Sequence, residues 1–174
     1  MARRFRYPQT GALMRHFQEG DFLDSQIAPV ADSSLQAADI AIITFFTMPK
    51  WVLALLWMRN ALVRPFGINT GEAQGYAPPT REDLVSGRYE GVFAIDFVSE
   101  EEITFGTNDV HLDFRVSVIR TREPRDHAAI TTWVHPHNWL GRLYLVVVYP
   151  FHKLIVWRML ANLKDRQSAR IVQA

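Results

Sequence analysis

A chain of 174 residues with 48% apolar and 21% charged side chains has enough material for one domain with a real core. Its 19 basic and 18 acidic residues nearly cancel, which argues against nucleic acid as a main partner, because duplex binding needs a net cationic footprint. There is no cysteine, so disulfides, thiolate nucleophiles, zinc fingers and iron–sulfur clusters are excluded, and a reduced, cytoplasmic setting is the expectation.

Residues 1–20 read as a polar N-terminal arm with a short helix near Ala12–Gln18. Its arginines are followed by Pro8-Gln9-Thr10-Gly11 rather than by the apolar run of a secretory signal. A single domain is expected over 21–164, with 165–174 as a solvated tail. Asp21–Val30 suits a first strand. Ser33 and Gln36 have capping-box spacing, predicting a helix from there to about Phe46. Pro49 suits the first position of a second helix running to Val63, before Pro65 and Gly67. Residues 69–86 are rich in Gly, Pro and Thr and read as a loop.

From Arg88 the apolar period changes from helical to two. Tyr89–Val98, Glu101–Phe105, Val110–Thr121 and His127–His135 read as strands, separated by the turn signals Ser99-Glu100, Gly106-Thr107-Asn108 and Glu123–Asp126. Connections this short imply an antiparallel meander. Asn138 is a candidate N-cap for a long apolar helix over Trp139–Leu163, which Pro150 should kink by freeing the carbonyl of Val146. The order strand, helical pair, antiparallel strands, long helix predicts an α+β helix-grip architecture: a curved antiparallel sheet wrapped on the C-terminal helix, with space left between the two.

Two stretches are apolar enough to raise the question of a membrane span. Ile40–Met58 has the ~20 residues a span needs, but Pro49-Lys50 sits at its centre, where a lysine costs roughly 3 kcal/mol. Leu143–Leu160 contains Pro150, His152, Lys153 and Arg158. Both are expected to be buried helices, with no transmembrane segment.

Three stretches carry a family resemblance: PKWVLALLWMRNALVRPFGI (Pro49–Ile68), NDVHLDFRVSV (Asn108–Val118) and TTWVHPHNWLGRLYLVVVYPFHKLIV (Thr131–Val156). Together they resemble the bacterial domain-of-unknown-function family 2867, over most of Asp21–Lys164. The resemblance implies a place in the START-like, polyketide-cyclase-like (SRPBCC) helix-grip superfamily. It brings no established activity and no catalytic residues. Relatives of the family also occur behind NAD(P)-binding dehydrogenase-like domains, whereas no G-x-G-x-x-G is present in this chain.

The candidate chemistry is sparse. In Asp109–Thr121 (DVHLDFRVSVIRT), Val110, Leu112, Phe114, Val116 and Val118 share one strand face; His111, Asp113, Arg115 and Ser117 share the other. A Ser117–His111–Asp113 triad fails, because same-face strand neighbours stand about 7 Å apart. The apolar side is expected under the last helix and the polar side facing water, in cross-strand pairs. His135-Pro136-His137 has metal-ligand spacing, with His111 or Asp113 as a third ligand, but Pro136 should make the rings diverge, and no metal or other cofactor is expected. Arg59 and Asn60 lie on the second helix, where Arg59 could pair with Asp96 or Asp113, or meet a ligand anion. The preferred reading is a binding module, without catalysis, for a hydrophobic or lipid-like small molecule. Arg59, Asn60, His111 and Arg115 are its polar candidates, with Trp133, Asn138, Tyr144 and Phe151 along the last strand and helix. The alternatives are a cyclase, dehydratase or isomerase using the same cavity through Arg59, His111, Asp113, His135 and Tyr144, and a homodimer or membrane-surface protein acting through the C-terminal helix.

Overall fold

The computed structural model describes residues 5–46, 79–89, 93–122 and 125–173, with Lys50, Trp51, Ala54 and Trp57 as helical positions between them. The second helix expected over Pro49–Val63, and with it Arg59 and Asn60, lies mostly outside the described residues. Five strands form one open antiparallel sheet: β1 (Phe22–Pro29), β2 (Ala94–Val98), β3 (Glu102–Asn108), β4 (Leu112–Thr121) and β5 (His127–Pro136), in the order β1-β5-β4-β3-β2. Among the described residues, helices α1 (Ala37–Phe45), α2 (Arg81–Val85) and the 35-residue α3 (Trp139–Gln173) accompany it, with a single 3-10 turn over Ala12–Arg15. The long C-terminal helix packs against the sheet, as a helix-grip-like fold requires.

Local signals placed most of these elements. The start of α1 is capped by Gln36 and Asp39, not by Ser33 and Gln36. Asp32 is the reason: its carboxylate accepts from Ser34 N and Oγ at 3.0 and 2.6 Å, holding Ser33-Ser34 in a turn before the helix begins. The expected loop over 69–86 contains α2, which Thr80 and Asp83 close with a capping box. Gly106-Thr107-Asn108 is not a turn but the end of β3, paired with Arg115, Phe114 and Asp113. Arg115 explains the glycine: a side chain at Gly106 would collide with the arginine stem that lies across β3.

Strand register divides the sheet into two faces. One carries Ala28, Ile103, Phe105, Val116, Val118 and Ile130 beneath α1 and the later turns of α3, where Val156, Met159, Leu160 and Leu163 are buried. Each such aliphatic side chain contributes about 1.5–3 kcal/mol on burial. The other face was expected to be wet, and here the structure corrects the sequence reading. Arg115, Ser117 and Ile119 are buried, because the segment from Phe5 to Arg15 folds back over them and brings Tyr7 and Leu13 into a second cluster with Ile119 and Trp133. The expected burial of Leu143–Leu160 is also corrected. Only the turns from Val156 onward are in the core, while Leu143, Val146, Val147, Phe151 and Leu154 are exposed. The helix runs along β1, where Tyr149 meets Phe22 and His152 meets Asp24, and the exposed residues of its first half lie on the side turned away from those contacts.

Candidate functional site

The polar chemistry lies on the sheet face under the N-terminal segment. β3 places Glu102 and Thr104 opposite Ile119 and Ser117, so all four share that face. The Glu102 carboxylate, almost fully buried, accepts hydrogen bonds from the Tyr7 hydroxyl, from Ser117 Oγ at 2.6 Å and from Ala12 N at 3.0 Å. Tyr7 Oη in turn accepts from Leu13 N at 2.9 Å. Burial and then the adjacent Glu102 carboxylate push the Tyr7 hydroxyl well above its ordinary pKa. This cluster consumes its own hydrogen-bonding capacity in holding the N-terminal segment down. It reads as a structural clamp.

Along the same face, Asp96 gathers Arg15 at 3.2 Å, His16 at 3.1 Å and Arg115 at 3.4 Å. Arg115 also donates to the carbonyls of Thr107 and Phe114, both at 2.9 Å. Beyond it, the buried carboxylate of Asp21 accepts from Trp133 Nε1 at 2.7 Å and meets His135 Nδ1 at 2.5 Å. A carboxylate fixed on Nδ1 leaves the opposite ring nitrogen directed away from it, the orientation general acid–base work uses. His137, its ring 5.2 Å from that of His135, turns instead to Asp113 at 3.2 Å. The H-x-H pair is thus divided between two carboxylates. Among the described residues no cluster of three potential ligands could hold a metal ion.

At the sheet–helix corner Asn138 acts as the cap its position predicts, with Oδ1 accepting from Gly141 N at 3.0 Å. Its amide nitrogen lies 3.1 Å from His111 Nδ1, and the His111 carbonyl accepts from His137 N at 3.0 Å. Gly141 allows the approach, since a side chain there would meet the His111 carbonyl oxygen.

The sequence-predicted site residues therefore do not converge. His111 and Asn138 form one pair, at the corner. Arg115 and Trp133 are cross-strand neighbours on the far face, bound to Asp96 and Asp21. Tyr144 is half-buried and Phe151 exposed on α3. Asp21, Glu102 and Tyr7 were missed, and Asp96, named only as a partner for Arg59, pairs with Arg115. The period of two in β3 places Glu102 and Thr104 on one face, and that was the available signal; the origin of the chain that covers them had none.

On the helix side, a cleft of about 340 Å3 opens at the sheet edge between β1 and the late turns of α3. Ile27, Ala28, Pro29, Trp157, Leu160 and Ala161 make its apolar wall, with Gln26, Lys164 and Asp165 as polar groups. Next to it, Asp24 and His152 stand 3.5 Å apart, an ion-pair distance rather than a good hydrogen bond. The His152 imidazole, and the nearby Lys153 ammonium, hold the Asp24 carboxyl below its usual range against the opposing effect of burial.

Compared with known families, residues 16–159 match the model described as protein of unknown function (DUF2867). Neither the curated proteins nor the solved structures gave a match.

Proposed function

The chain belongs to the DUF2867 family of proteins of unknown function, and we propose that it is a binding module for a hydrophobic or lipid-like small molecule, held in the cleft between β1 and α3. The observation that carries this reading is the cleft itself. Its volume of about 340 Å3 falls at the lower end of the ~300–1,000 Å3 usual for small-molecule sites. Its wall is apolar, and its polar groups are few, the combination that accepts an aliphatic or aromatic body and orients one polar end. Neither the ligand candidates His111, Arg115, Trp133, Asn138, Tyr144 and Phe151 nor the acid–base candidates Asp113 and His135 line it, so the wall of the cleft, not those residues, carries the reading.

The test uses cis-parinaric acid, a fluorescent single-chain fatty acid. Wild-type protein should bind it saturably at one site. Ala161→Trp, which fills the cleft from α3, should remove that binding while leaving the fold intact by circular dichroism. Failure of the wild type to bind, or unchanged binding by the variant, refutes the proposal.

A further inference from the structure

The first half of α3 carries a stripe of exposed apolar side chains, and we propose that it docks flat on an anionic lipid bilayer surface. Trp139, Leu143, Val146, Val147, Leu154 and Trp157 are exposed, and their spacing of three, four and seven residues sets them in one stripe along the helix. Trp139 and Val146 are each 74% exposed. The core positions Val156, Met159, Leu160 and Leu163 occupy the opposite side, so the stripe points away from the sheet.

Charge selects the occupant. Between Trp139 and Ala174 the chain has Arg142, Lys153, Arg158, Lys164, Arg166 and Arg170 against the single acid Asp165, although the whole chain carries only +1. On the helix, Arg142 and Lys153 flank one edge of the stripe and Arg158 the other, Lys153 lying 3.9 Å from Asp24 and Arg158 3.3 Å from Asp165, both at exposed or half-exposed positions where headgroups can compete for the cation. An apolar stripe with cations at both edges fits acyl chains below a layer of anionic headgroups. A second copy of the same face would instead set cation against cation. Tryptophans at both ends of the stripe suit the headgroup level, where indoles concentrate. Trp139–Asp165 is long and apolar enough to cross a membrane by length and composition, but with Val156 and the following turns committed to the sheet, Trp139–Ile155 offers about 25 Å of helix against a ~30 Å hydrocarbon layer, which favours lying on the surface over crossing it.

The surface is distinct from the β1–α3 cleft, so its test separates from that of the ligand. Full-length protein is sedimented with vesicles of phosphatidylcholine alone and with vesicles in which about a third of the lipid is phosphatidylglycerol. Binding is expected to the anionic vesicles, roughly 10–100-fold tighter than to the neutral ones, and to weaken as salt rises. Val146→Asp, at an exposed position that leaves the core intact, should reduce it at least tenfold, and Arg142→Gln about fivefold. Ala161→Trp should bind vesicles as the wild type does. Absence of wild-type binding to anionic vesicles overturns the proposal, as does undiminished binding by Val146→Asp. So does a wild-type dimer in solution that Val146→Asp converts to monomer without any effect of vesicles, which would make a second copy the occupant.

Discussion

Replacing Glu102 tests whether the N-terminal segment is clamped to the sheet by one buried carboxylate. In Glu102→Ala, the hydroxyls of Tyr7 and Ser117 and the amide of Ala12 lose their shared acceptor in a site from which water is largely excluded. Hydrogen bonds to a charged group are worth about 1.5–3 kcal/mol each, and an orphaned buried donor costs about 1–3 kcal/mol. Three such losses are offset by removing the several kcal/mol needed to desolvate the carboxylate itself. The two hydroxyls can also rotate toward other acceptors. The net expectation is about 2–4 kcal/mol of lost stability, or roughly 4–16 °C in Tm at about 2–4 °C per kcal/mol for a chain of this size. Glu102→Gln should cost less, about 1–2 kcal/mol, because the amide oxygen can still serve Ala12 N while its NH2 donates to a rotated hydroxyl. Urea unfolding is the assay, with limited proteolysis reporting release of the N-terminal segment. A double-mutant cycle with Tyr7→Phe isolates the contact, whose coupling should exceed about 0.5 kcal/mol. A Glu102→Ala protein within 0.5 kcal/mol of wild type, or strict additivity with Tyr7→Phe, refutes the clamp.

Three further perturbations follow from the same geometry. The lowered pKa of Asp24 means that its stabilising effect is present above the unfolded value, about 3.9, and is lost as pH falls through the lower folded value. Asp24→Asn should therefore flatten the acid limb of stability by up to about 1.4 kcal/mol per pH unit, measured as urea midpoints below about pH 5; an unchanged slope contradicts it. The Arg120 side chain is fully buried, 3.1 Å from Asp126, and donates to the carbonyls of Asp32 and Leu35. Asp126→Ala strands that guanidinium and should cost about 3–5 kcal/mol, whereas Arg120→Met, which keeps most of the volume, should cost less; the reverse order in chemical denaturation overturns this. Gly141→Ala should cost about 1–3 kcal/mol of stability despite the gain in helix propensity, because its methyl group would overlap the His111 carbonyl, and should lower Tm accordingly; a stabilised variant refutes the contact.

The elements legible from the sequence were those whose signals are local. The alternation in β4 and β5 and the Asn138 cap before α3 depend on neighbours within a few residues, and the structure has them where the pattern places them. Capping boxes are equally local, yet two candidates compete before α1, and the Asp32 turn decides between Ser33 and Gln36. What failed was the assignment of faces to water or protein. His111, Asp113, Arg115 and Ser117 alternate with apolar neighbours, which shows that the strand has two unlike faces but not what lies on each. The cover over Ser117 comes from Tyr7, and its partner Glu102 belongs to the adjacent strand; both contacts are set by tertiary folding.

The last helix shows the same limit in reverse. Its apolar residues between Leu143 and Phe151 nearly encircle the axis, a pattern that ordinarily means burial. Yet α3 runs along β1, with Tyr149 against Phe22, His152 beside Asp24 and Leu160 near Ala28, and turns only one side to the sheet. Val156, Met159, Leu160 and Leu163 take that side in the core, while in the earlier turns Trp139, Leu143, Val146, Val147, Phe151 and Leu154 are exposed. Exposing Trp139, Val146 and Trp157 together gains nothing in folding, so this side of α3 is the surface at which an apolar partner should be sought.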